Sequence, residues 1–208
     1  MSIEREIKLA LPADQIEAAT QFFVAHTGKT GIKVALSNDY FDTPALTLAK
    51  SLGALRLRKT PHGWLQTYKT VGSAEGGLHR RHEWEIPVAG EGLEIDALVA
   101  ACNDAASADA LRAAAPELIE LFSTNFTRTL WHVVHGDTEI EAAIDQGEIT
   151  AEVEGQTRRA PISEIELELK HGDEAALHAL QAELTAALPG VAPDDVSKAQ
   201  RGYRLRER

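Results

Sequence analysis

The chain has 208 residues, 44% of them apolar, which is enough to bury a substantial core and too hydrophobic for a disordered polymer. Its formal net charge of -11, with no lysine- or arginine-rich block, argues against general affinity for nucleic acid or for an anionic membrane surface. Cys102 is the only cysteine, which excludes an internal disulfide and a multi-cysteine metal site; with no apolar leader and no run of about 20 apolar residues, a soluble cytoplasmic protein is expected.

The first predicted element is a strand in the opening stretch MSIEREIKL. Side chains alternate between two faces of a strand, so Glu4, Glu6 and Lys8 share one face while Ile3, Ile7 and Leu9 line the other. Pro12 and Asp14 lead into a helix over 15–28, with Gly28 as its stop. A strand over 32–43, a short helix over 44–53, paired strands over 54–60 and 64–71 and a strand over 77–88 follow. The alanine-rich stretch 93–118 favours helix and reads as a helical insertion, about 94–115, that covers one domain spanning 1–208. A second group of strands is expected over 121–134, 138–147, 148–155 and 161–170, with turns at Gly136, Gly147 and Gly155. Asp173 then opens an amphipathic helix to Leu188, 189–195 is a loop, and 197–205 is a short terminal helix. Many strands joined by short connections favour an antiparallel sheet that is closed or nearly so.

The oddity of the first strand recurs. Arg56 and Arg58 share a face, as do Arg81, Glu83 and Glu85; Lys69 lies in TYKTV and Arg128 follows Phe126 in FTRTLW. Glu139, Glu141 and Asp145 share a face, and Glu164, Glu166 and Glu168 alternate with Ile165, Leu167 and Leu169. The ordinary explanation is a solvated sheet face. Against it, acids in line repel unless cations sit opposite, and the apolar faces need cover that the predicted helices supply from outside. The alternative is an inverted barrel with a charged, wet interior. Such an interior requires mixed signs and ions: a multiply charged anion for the bases, and Mg²⁺ or Mn²⁺ for the carboxylates.

These residues resemble the CYTH superfamily, the triphosphate tunnel metalloenzymes. Glu4-x-Glu6-x-Lys8 is similar to its ExExK signature, and NDYFDTP, LRLRK, TYK, FTR, the strand around Asp145, EIELELK and SKAQRGYRL follow in the family's order along nearly the whole chain. GGLHRRHEW, LFSTNFTR and EIELELKHGD resemble the bacterial inorganic triphosphatases in particular. In that branch a histidine-rich helical domain often follows; the expectation here is the tunnel domain without it.

The resemblance implies an α+β fold: an eight-stranded antiparallel closed β-barrel, or tunnel, with helices packed outside and a C-terminal plug helix. By motif, Arg56, Arg58, Lys69, Arg128, Lys198 and Arg201 would bind phosphate oxygens, with Lys8 near them and acting in catalysis. Glu4, Glu6, Glu166 and Glu168 would ligate the metal, the last two also acting in catalysis, and Asp145 and Glu164 would join the metal shell or its water network. Glu83 matches a family acid, and Arg81 is added to the substrate site on strand parity. The implied activity is hydrolysis of inorganic triphosphate to pyrophosphate and orthophosphate by in-line attack of a water that a metal ion activates. Thiamine triphosphate hydrolysis, class IV-type adenylate cyclase activity and non-catalytic polyphosphate or nucleotide binding are the alternatives. A monomer and a homodimer are equally compatible with the pattern.

Other features carry ordinary explanations. The eight histidines have no metal-ligand spacing, Cys102 reads as packed, the three tryptophans read as outer-face packing, and there is no GxxxxGK[ST] loop.

Overall fold

The computed structural model describes residues 3–207; Met1 and Ser2 of the predicted first strand lie outside them, as does Arg208. Strand β1 (Ile3–Ala10) is followed by α1 (Ile16–Thr27), β2 (Ile32–Asp42), the single turn α2 (Thr47–Lys50), β3 (Ala54–Thr60), β4 (Gly63–Glu75) and β5 (Leu78–Val88). Helices α3 (Ile95–Ala101) and α4 (Ala105–Ala114) occupy the alanine-rich stretch. The chain returns through β6 (Ile119–His135), β7 (Thr138–Val153), β8 (Gln156–His171), α5 (Glu174–Ala187), the two-residue β9 (Ala192–Pro193) and α6 (Lys198–Glu207).

The strands run β5-β4-β3-β2-β6-β7-β8-β1, every pair antiparallel, and β1 closes the sheet by pairing with β5. Eight long strands therefore make a closed barrel, with β9 added beside Leu9 and Ala10 of β1. Closure leaves no edge among them to be satisfied by another chain. One expectation is corrected: Gly147 is not a turn, and β7 runs straight through it. A Cβ there would sit 2.1 Å from the Asn125 carbonyl and 2.5 Å from the Phe126 Cα, so glycine serves close strand approach, not chain reversal.

The barrel is inverted. On the outer faces Ile7, Leu9, Ile144, Ile165 and Leu167 are at most 1% exposed, covered by Phe23 of α1 and by Leu177, Leu180 and Leu184 of α5. Phe23 stacks on Trp131 with ring centroids 5.0 Å apart. Each such side chain contributes roughly 1.5–3 kcal/mol on burial, which is why the apolar alternation turns outward, beneath helices. Leu55, Tyr68 and Trp84 form a second outer cluster under α2, α3 and α4.

Local signals set the helix ends. The Asp173 and Asp104 side chains cap α5 and α4, accepting from the amides of Ala175 and Ser107. Gly28 ends α1 at φ 69°. Asp42, fully buried at the end of β2, accepts from the amides of Thr43, Leu48 and Ala49 and from the Tyr203 hydroxyl. It thereby fixes α2 and ties α6 to the barrel.

Helix α6 enters one end of the barrel. Its Leu205 and Tyr203 pack with Leu36, Tyr40, Phe122, Phe126, Ile149 and Ile162 on the inner faces of β2, β6, β7 and β8. A Cβ on Gly202 would lie 2.1 Å from the Phe122 ring, so only glycine lets the helix seat this deeply. The plug expected from the sequence is present. No helix among the described residues is long and apolar enough to cross a membrane.

Candidate active site

Beyond the plug, the inner faces enclose a cavity of about 840 Å³. Every site residue expected from the sequence borders it except Asp145 and Glu164, which connect to it through Lys198, and Arg201, which donates to Glu164. Strand register explains the grouping: Glu4 lies opposite Arg81, Lys69 opposite Glu83, Lys8 opposite Glu166, Arg128 opposite Asp145, and Asp145 opposite Glu164.

On one wall, Glu4 accepts from Lys69 at 2.7 and 2.9 Å and from Arg81 at 3.0 Å. Lys69 also meets Glu83 at 3.3 Å, and Arg56 lies 3.7 Å from Glu83 and 3.4 Å from Glu85. Burial alone would raise the Glu4 pKa, but Lys69 and Arg81 outweigh it and hold the carboxyl well below the usual range.

On the other wall, Arg128 donates to both oxygens of Asp145, at 2.8 and 2.7 Å, and also to Glu166. The Lys198 ammonium donates to Asp145 at 2.6 Å, to Glu166 at 2.6 Å and to Glu164, while Arg201 donates to Glu164. Sequence reasoning placed Lys198 and Arg201 against phosphate; here both face carboxylates. Lys8, 2% exposed, gives its ammonium to the Val196 carbonyl and lies 3.2 Å from Asp194, so it holds the segment that leads into α6. Glu168 pairs with Lys170 at 2.7 Å.

Two groups are left out of balance. Arg58 has no carboxylate partner among the described residues; its one side-chain bond is to the Asn38 amide oxygen at 2.7 Å. Burial, then the neighbouring Arg56 and Arg128, bring its pKa down to about 10. Glu6 has the opposite deficit, with only Arg81 at 3.5 Å. Burial, then Glu166 and Glu4, push its carboxyl up to about 8. A guanidinium crowded by cations and a carboxyl crowded by anions face one cavity, an arrangement that favours an anion near Arg58 and a cation near Glu6.

The donor chemistry fits a divalent ion. Asp145, Glu164 and Glu166 each offer a carboxylate oxygen, all within 4.8 Å of one another. Glu6 and Glu168 are partners across β1 and β8, beside that group. Oxygen-only ligands suit hard cations. Residues given no site role from the sequence include Lys170, whose parity with Glu168 was readable, Asn38 and Asp42, which lie in NDYFDTP and share one strand parity, and Asp194, in a loop that no periodicity marks.

Comparisons place this geometry among known proteins. The chain is 33% identical over 205 residues to the inorganic triphosphatase of Haemophilus influenzae, matching 97% of its own length but spanning 54% of that relative's. Its fold matches that of a Hippeastrum protein described as a candidate adenylyl cyclase with a dominant triphosphatase activity, at TM-score 0.69 and 21% identity, covering 96% of each chain. A candidate adenylate cyclase of Bacillus halodurans matches at TM-score 0.59 and 17% identity, covering 96% and 97% of the two chains. The sequence model of the CYTH domain matches residues 2–203, nearly the whole chain: this chain belongs to the CYTH domain family.

Proposed function

We propose that this chain hydrolyses inorganic triphosphate to pyrophosphate and orthophosphate with a divalent ion, Mg²⁺ or Mn²⁺, in a cytoplasmic setting. The observation that carries the reading is the pair of unbalanced groups, Arg58 and Glu6, that line one cavity. In a chain of net charge -11, a multiply charged anion is drawn by a local concentration of cations, and Arg56, Arg58, Lys69 and Arg128 supply it.

Phosphoryl transfer asks the protein mainly to position the chain and to neutralise its oxygens. Arg58 and Arg128 present planar guanidinium groups for non-bridging oxygens, and Arg56 and Lys69, held by Glu83, Glu85 and Glu4, present further donors at fixed positions. Glu6, Glu166 and Glu168, with Asp145 and Glu164, would hold the ion, and Glu4 orients Lys69 and Arg81 beside it. When bound, the ion withdraws charge from the phosphates and activates water. Lys8 acts through the lead-in of α6, which it fixes beside the acids.

Phosphate release from tripolyphosphate, thiamine triphosphate and ATP, each with Mg²⁺ or Mn²⁺, together with a check for cyclic AMP, tests the reading. The expected result is fastest release from tripolyphosphate and none without the ion. Faster turnover of an organic triphosphate, cyclic AMP formation, or no turnover of any substrate would overturn it.

A further inference from the structure

Lys198 stands where an ion would stand. Its ammonium has three protons to donate and gives one each to Asp145, Glu164 and Glu166, the three acids whose oxygens cluster within 4.8 Å. A divalent ion held by those oxygens would lie roughly 2.0–2.6 Å from each. That is the space the ammonium fills, at 2.6 Å from both Asp145 and Glu166. Two cations cannot share it.

We propose that Lys198 is a tethered counter-cation: it neutralises the acidic nest in the metal-free protein, is displaced when a divalent ion enters, and then becomes a donor to the bound anion. The inference rests on reading these acids as ion ligands. Charge balance supports displacement. Lys198, Arg128 and Arg201 face Asp145, Glu164 and Glu166, so the nest is neutral as it stands; a divalent ion beside all three cations would leave a surplus of two positive charges, and moving the ammonium out lowers that surplus to one. Geometry supports the destination. The start of α6 is pinned, because Lys8 holds the Val196 carbonyl and the Tyr203 hydroxyl holds Asp42, so the helix stays while the flexible side chain turns. Lys198 already borders the cavity, as does Arg58, whose guanidinium has no carboxylate partner among the described residues and is free to meet an anion there. The consequence is coupling: the ion frees a cation for the anion, and the anion, by holding that cation, favours the ion equally.

Two measurements test this. In substrate-free protein, Mn²⁺ binding followed by electron paramagnetic resonance should tighten about tenfold in Lys198→Met, within the usual range of site coupling. Unchanged or weaker binding in a folded variant overturns the proposal. In the unaltered protein, acetic anhydride labelling read by mass spectrometry should find Lys198 protected without ion, labelled several-fold faster with Mg²⁺, and protected again when tripolyphosphate is added. Labelling indifferent to Mg²⁺ overturns the proposal without any variant having to fold. Mn²⁺ binding that Glu166→Gln abolishes but Lys198→Met leaves unchanged would refute the displacement and keep the ligand assignment. Absence of Mn²⁺ binding in every form would remove both.

Discussion

Replacing Glu166 with glutamine keeps the side-chain volume and removes one negative charge from the nest. This carboxylate accepts from Lys198 at 2.6 Å and from Arg128. Burial pushes its pKa up, but those two cations outweigh the burial and hold it well below the usual range. Two charge-assisted hydrogen bonds of about 1.5–3 kcal/mol each are therefore weakened. The amide oxygen still accepts one of them, and loss of the charge relieves the repulsion that Glu6 feels from Glu166. The net cost is about 1–2 kcal/mol, which at this chain length lowers Tm by roughly 2–8 °C. Turnover should suffer more, because an anionic ion ligand is lost and nothing in the chemical step compensates: a fall of at least about 100-fold, or ~2.7 kcal/mol of barrier, is expected. Phosphate release at saturating tripolyphosphate and ion, run beside thermal unfolding of the same preparation, separates the two effects. Turnover within about threefold of the parent, with the fold intact, would refute the role given to Glu166.

Glu6 gives a pH prediction. Its carboxyl, raised from 4.5 to about 8, keeps a proton in the folded state where the unfolded chain has lost it. The folded state thus binds more protons across that window, and stability falls as pH rises through it. Metal-free protein should lose thermal stability from pH about 5 to about 8, and Glu6→Gln should flatten the slope; equal slopes in unfolding scans with chelator would remove Glu6 as its source. Asp42→Ala should leave the amides of Leu48 and Ala49 and the Tyr203 hydroxyl without their acceptor. The expected loss is about 3 kcal/mol, or roughly 6–12 °C in Tm, and a shift under about 2 °C would show that the carboxylate does not tie α2 and α6 together.

Much of the site was legible because strand parity is a local property. Glu4, Glu6 and Lys8 must share a face whatever the barrel does, and the same holds for Arg56 with Arg58 and for Glu164, Glu166 and Glu168. The conflict between charged and apolar faces also raised an inverted barrel as the alternative to a solvated sheet face, since the predicted helices offered cover for an outward apolar surface. Lys170 was missed although its parity is that of Glu168. Gly147 was misread because glycine serves both turns and close strand contacts, and only the 2.1 Å approach to the Asn125 carbonyl distinguishes them.

Alternation along each strand, and the helix stops and caps at Gly28, Asp104 and Asp173, were determined by the sequence itself, because they depend on neighbours within a few residues. Which charges meet was decided only by the tertiary structure. Lys69 and Arg81 fall on Glu4, Arg58 is left without an acid among the described residues, and Lys198 reaches across from the last helix to three carboxylates on β7 and β8. Those pairings depend on barrel closure, strand register and the depth of α6, and each joins residues far apart in the chain. Electrostatic balance is a sum over such distant partners, so a guanidinium crowded by cations and a carboxyl crowded by anions come to line one cavity only once the barrel has closed.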